Sequence, residues 1–261
     1  MGSNGGRFQV EAMRIQTEHL RVRYGAYTAI EDLDLAVPPG QYVVLVGENG
    51  AGKSSLLRCL GGWIRPSQGA VLIDGQRFER HEQTLRSQIK LVPDSPIFYT
   101  ELTAWEHLEL VVRAHHRKDP AWRDEASGWL NAFGLDRNRH AYPASFSRGM
   151  QYKLAVVMSI LTKPQVFLLD EPFGPLDPFS QSYLAEYLRT IADRGASVIV
   201  STHLLPNDHP PDRVLVMDQG AVILDASLDS IRQQDKSLPL SFIPQQVLSG
   251  ALAAHRGGAH E

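Results

Sequence analysis

The stretch YVVLVGENGAGKSSLLRCL, residues 42–60, decides how the chain folds. Tyr42–Val46 is an unbroken apolar run, the pattern of a strand buried on both faces. Lys53 onward reads as a helix, predicted to continue until Pro66. Between them, Gly47–Ser54 matches G-x-x-x-x-G-K-[ST] in full, in the strand–loop–helix setting where that spacing has a physical reason. Polyphosphate oxygens must be approached by successive backbone N–H groups, which side chains would obstruct; hence Gly47, Gly50 and Gly52. Glu48, Asn49, Ala51 and Ser55 complete the candidate cradle. The helix that follows adds the partial positive charge of its N-terminus. Lys53 can reach the β- and γ-phosphates of a bound nucleotide, and the Ser54 hydroxyl is positioned for Mg²⁺. Alone, the motif identifies a P-loop nucleotide enzyme and no more.

VFLLDE, Val166–Glu171, supplies a second element of the site. Its apolar residues carry Asp170 to the C-terminal end of a buried strand, where α/β sheets bind ligands. Asp170 is a Mg²⁺ ligand candidate, and Glu171 can point at a water in line with the γ-phosphate as general base or orienter.

The remaining chain reads as an α/β domain interrupted by helices. Residues 13–41 alternate as β, Ala70–Gly75 is a short strand and turn, and Ser197–Thr202 is another strand. Arg213–Asp225 reads as a hairpin with Gln219-Gly220 at its turn. From about 100 to 162 the pattern is helical. Thr103 and Glu106 form a capping box, Asp119-Pro120 opens a second helix that Gly134 stops, and a third begins after Ser147. Residues 1–12 read as a flexible leader, 13–236 as the folded domain, and 237–261 as a loosely held tail.

Composition narrows the function. The 261 residues are 43% hydrophobic and 21% charged, as in a globular protein with a real core. A net charge of −3 offers no basic excess for a nucleic-acid backbone, so no nucleic-acid partner is expected. The single cysteine, Cys59, forbids an internal disulfide framework and fits a reducing compartment. No apolar run approaches the roughly 18 residues needed to cross a bilayer, so any work at a membrane goes through another chain.

With these residues in place the sequence resembles the nucleotide-binding subunit of an ATP-binding cassette (ABC) transporter, from about Ile15 to Gln234. Phe146–Val156 looks like the family's signature, usually written LSGGQ, with its helix. Glu171–Asp177 looks like the end of Walker B and the D-loop, His203 like the switch histidine, and Tyr24 like the aromatic that stacks on adenine. The resemblance implies a P-loop NTPase core, a mixed sheet with an N-terminal antiparallel β-subdomain and an inserted α-helical subdomain. It implies two subunits, expected to be identical, closing head to tail over two ATP molecules. Each ATP lies between the P-loop of one subunit and the signature of the other. Ser147, Arg148, Gly149 and Met150 would then meet the partner's γ-phosphate at a helix N-terminus, and His203 would hydrogen-bond the γ-phosphate. It further implies ATP hydrolysis that drives a separate transmembrane permease, with this subunit cytoplasmic and peripheral on the inner face of the membrane.

The chain departs from the family pattern in three places. Phe146, Arg148 and Met150 stand where Leu, Gly and Gln are usual, a form resembling drug and bacitracin-type exporters. Three prolines in Pro206–Pro211 should shorten or break the helix expected after His203. Asp94 stands between Pro93 and Pro96 where the family has the Gln of its Q-loop. Asp94 has two readings: a cap for local turn N–H groups, or a Mg²⁺ neighbour reached through water. Two other function classes compete. A soluble ABC-type ATPase acting on a macromolecular partner would usually carry a long coiled-coil insert or a second cassette, and neither is present. A P-loop small-molecule kinase would leave Phe146–Gln151 and His203 without a role.

Overall fold

The computed structural model describes residues 13–115, 119–206, 208–234 and 239–257. The expected leader, residues 1–12, lies outside them. Strands β1 (Ile15–Tyr24) and β2 (Tyr27–Val37) form a hairpin, followed by β3 (Tyr42–Gly47) and helix α1 (Lys53–Leu60). Then come β4 (Gln68–Ile73), β5 (Gln76–Arg77), α2 (Phe78–Arg86) and β6 (Ile89–Val92). The helical segment holds α3 (Ala104–Ala114), α4 (Trp122–Ala132) and α5 (Arg148–Ile160). The α/β pattern resumes with β7 (Val166–Asp170), α6 (Pro178–Asp193), β8 (Ser197–Ser201), β9 (Arg213–Asp218) and β10 (Ala221–Ser227). Helices α7 (Leu228–Gln234) and α8 (Ile243–Gly257) close the described chain.

Two sheets organise these elements. One is antiparallel, in the order β2-β1-β4-β5; the other is mixed, in the order β10-β9-β3-β8-β7-β6. In the mixed sheet β9, β3, β8, β7 and β6 run parallel, and β10 is antiparallel to β9. Strand β3 shows why a continuous apolar run was required. Val43 and Leu45 enter the core shared with the antiparallel sheet, α1 and α2. Tyr42, Val44 and Val46 enter the opposite core, under α5, α6 and the helical insert. Burial pushes the Cys59 thiol up to about 12, so this cysteine is a packed apolar residue rather than a nucleophile.

The local signals behave as their chemistry requires. The Glu106 N–H donates to the Thr103 hydroxyl, and the Thr103 N–H donates back to the Glu106 carboxylate. Asp177 caps α6 by accepting from the Ser180 N–H at 3.0 Å. No helix appears in the described part of 202–212, as the prolines require. Two expectations change. Helix α1 stops at Leu60, well before Pro66, because Gly61-Gly62 follows and glycine weakens a helix interior. The segment read as a loose tail instead carries α8, with Ile243, Val247 and Leu252 buried. Ile243 and Val247 join the core beneath the mixed sheet.

Candidate active site

Parallel strands end at one edge of a sheet, and the loops beyond them converge there. The P-loop follows β3, Asp170 ends β7, His203 lies two residues beyond β8, and Asp94 lies two beyond β6. A cleft of about 300 Å³ at this edge is lined by Tyr27, Asn49–Ser55, Asp94, Asp170 and Glu171. A separate cavity of about 570 Å³ opens at the opposite edge beside Gln165 and Ala196 and contains none of these groups.

The P-loop is shaped by close backbone approach. Gly52 has φ +106°, and a Cβ there would stand 2.5 Å from the Ala29 carbonyl oxygen, so only glycine fits. The loop is held by the Ala51 N–H donating to Glu48 O and the Gly220 N–H donating to Ala51 O. Lys53 folds back over it, donating to the carbonyls of Gly47 at 2.6 Å and Glu48 at 3.2 Å. Burial lowers the Lys53 pKa, opposed by the charges of Glu171 and Asp170. The side chain is therefore held with its donors close to where a phosphate would sit.

Asp170 is almost fully buried, and its Oδ1 accepts from the Ser201 hydroxyl at 2.6 Å. Glu171 has φ +48°, a sparsely populated conformation for a non-glycine residue. Its N–H donates to Ser201 O at 3.0 Å and to Ser201 Oγ at 3.1 Å, which fixes the turn. Its carboxylate lies 3.2 Å from His203 Nε2. A candidate base and its orienting partner thus stand together beside the P-loop.

The aromatic contribution differs from expectation. Tyr24 does not line the cleft; Tyr27 does, and its hydroxyl donates to Gly50 O at 3.2 Å. The two tyrosines face each other in register across the β1–β2 turn, so their side chains share one face of the hairpin. Tyr27 also borders an adjacent cleft of about 390 Å³ with Glu48 and Asp218. The family resemblance picked one member of the pair; register across the turn would have named the other.

The signature residues stand outside the cleft lining. Ser147 caps α5, its hydroxyl accepting from the Met150 N–H at 3.3 Å. Phe146 is buried in the core, the role an apolar residue is suited to at that position. Gly149 packs against the turn before α6: a Cβ there would meet Pro175 O at 2.7 Å. Lys153 on α5 donates to Asp177 Oδ2 at 2.5 Å, tying the signature helix to the same turn.

Asp94 makes a contact that neither reading included. Arg148 Nη2 donates to Asp94 Oδ1 at 2.6 Å, and Ser95 Oγ donates to Oδ2 at 3.4 Å. Rather than a local turn cap, the carboxylate forms an ion pair across 54 residues of sequence. The metal candidates are oxygen donors: the Ser54 hydroxyl and the Asp170 and Asp94 carboxylates, all lining the one cleft. That chemistry fits Mg²⁺, a hard ion that takes one or two carboxylates and completes its shell with phosphates and water. Among the described residues no cluster of three or more His, Cys, Asp or Glu could hold a metal by itself.

Comparison with known proteins agrees with this geometry. The family model described as ABC transporter matches residues 30–174. The ABC-type transporter ATP-binding protein EcsA of Bacillus subtilis is 32% identical over 80% of this chain and 87% of its own length. The bacitracin transport ATP-binding protein BcrA of Enterococcus faecalis is 26% identical over 92% of this chain and 76% of its own. A solved structure of an ATP-binding subunit of an ABC transporter superposes with a TM-score of 0.79 at 33% identity, covering 87% of this chain and 95% of that one.

Proposed function

The chain belongs to the ABC transporter family as an ATP-binding, ATP-hydrolysing subunit, and from that premise we propose that two copies, closing head to tail on Mg²⁺-ATP, drive a separate membrane permease. One observation carries the reading. The P-loop, Asp170, Glu171 and His203 meet in or beside one cleft, whereas Ser147, Gly149 and Met150 sit outside its lining. A γ-phosphate site that uses the signature must take it from a second copy.

In this mechanism the P-loop N–H groups and Lys53 bind the β- and γ-phosphates, Lys53 exchanging the Gly47 and Glu48 carbonyls for phosphate oxygens. Tyr27, which lines the cleft, would offer a ring face to adenine, with Tyr24 beside it across the turn. Ser54 and Asp170 would hold Mg²⁺, with Asp94 lining the same cleft; such an ion would supply positive charge against the phosphate oxygens. Glu171 orients the attacking water and accepts its proton, and His203 steadies the Glu171 carboxylate. The partner's Ser147–Met150 backbone, at a helix N-terminus, stabilises the transferring phosphate.

The permease would seat in an apolar groove of about 500 Å³ between the Asp94 loop, α3 and α5. Trp63, Ile97, Tyr99 and Leu110 line it, all exposed, with Ile97 at 95%. So much bare apolar surface next to the nucleotide cleft supports a protein partner there, and the groove suits a short helix from the permease. No helix among the described residues is long and apolar enough to cross a membrane; held through the permease, the subunit would be peripheral, on the cytoplasmic face. Likeness to the bacitracin transport subunit and the Ser-x-Gly-Met signature support export as the direction. The test is co-purification with a multi-span membrane protein that raises the ATPase rate. Ile97→Asp should abolish that association; a subunit that associates equally well after the change would leave the groove without this role.

A further inference from the structure

Arg148 occupies an electrostatically wrong place. It is the first residue of α5, where the helix dipole favours an anion, and it puts a guanidinium there. The structure compensates with Asp94, whose carboxylate reaches Arg148 at 2.6 Å. Both ends of this pair belong to working parts. Asp94 lines the subunit's own nucleotide cleft, and Arg148 belongs to the signature that the subunit offers to its partner. The side chains are 67% and 42% exposed, so the pair adds little net stability and can exchange partners readily.

We propose that Asp94 is an internal stand-in for the partner's γ-phosphate, holding Arg148 in a latch that ATP binding at the two sites of the dimer releases. This rests on the head-to-tail reading above. In the open subunit the signature cation is neutralised in cis. When Mg²⁺-ATP fills the subunit's own cleft, the metal competes with Arg148 for the Asp94 carboxylate. When the partner approaches, its γ-phosphate competes with Asp94 for Arg148. Each exchange favours the other, so loading one site prepares the signature for the second, and the two sites fill cooperatively. Asp94 and Arg148 are here positioning residues: they set when the signature is available, not the chemistry at phosphorus.

The experiment is a double-mutant cycle on ATP-driven dimerisation, read by sedimentation in the slow-hydrolysing Glu171→Gln background, with and without Mg²⁺. Without Mg²⁺ the metal cannot draw Asp94 away, so Asp94→Asn alone frees Arg148. The ATP concentration for half-dimerisation should then fall about threefold, the scale of an exposed ion pair. That gain should vanish when Arg148→Gln is also present and persist with Arg148→Lys, which keeps the charge. With Mg²⁺ the gain should shrink, because the metal already loosens the latch. An equal Asp94→Asn effect with and without Arg148 overturns the latch, as does weaker dimerisation of Asp94→Asn without Mg²⁺. A Glu171→Gln parent that stays monomeric at saturating Mg²⁺-ATP overturns the head-to-tail reading itself, and the latch with it.

Discussion

Glu171 and Asp177 show how much a single residue carries here. Glu171 is held in a left-handed conformation by two bonds to Ser201, a local strain that active sites commonly retain. If it activates the attacking water, Glu171→Gln should lower the ATPase rate at least about 100-fold while ATP still binds, as steady-state turnover and nucleotide titration will show. Asp177 is perturbed by its neighbours. The Lys153 ammonium first, and then the Ser180 N–H and hydroxyl, hold its carboxyl well below the usual carboxylate range. A lowered folded-state pKa gives stability that is complete above the unfolded value, near pH 4, and lost as pH falls through the folded one. Asp177→Ala should therefore cost about 1 kcal/mol at pH 7, the worth of a cap plus a half-exposed ion pair. The gap from wild type should narrow steadily below about pH 4; urea unfolding across that range checks it. At this scale the sequence was highly legible. Lys53, Asp170 and Glu171 are identified by residue type and spacing. Tyr27 was not, because its place over Gly50 depends on strand register.

Elements were legible where their signals are local. The capping box at Thr103, the buried run of β3 and the Gln219-Gly220 hairpin each need only a few neighbouring residues. Helix α8 was missed because its burial depends on a surface formed by strands far away in sequence. Small residues such as Ser249, Gly250 and Ala251 hide an amphipathic face whose anchors are Ile243, Val247 and Leu252. Ile243 is fully buried, so Ile243→Ala should destabilise the protein by about 2–4 kcal/mol in urea unfolding. A loosely held tail would give a change near zero.

For the molecule as a whole, the central expectation is composite sites. Lys53→Ala removes a P-loop, and Ser147→Glu places an anion where the partner's γ-phosphate must dock; each variant alone should be inactive. Mixed in equal amounts, half of the dimers would be heterodimers, each with one intact site, so about a quarter of wild-type ATPase should return. Sites contained within single subunits would give no recovery.

What the sequence determined by itself is the nucleotide chemistry. The P-loop glycines, Lys53, Ser54, Asp170 and Glu171 are dictated by a polyphosphate and its metal, and such constraints are written in short, contiguous spacings. What only the tertiary structure decided is which distant groups share a charge or a surface. Asp94 looked like a turn cap or a metal neighbour until the fold set it against Arg148, 54 residues away. Coulomb attraction depends on distance in space, and distance in space is set by packing around two shared cores rather than by order along the chain.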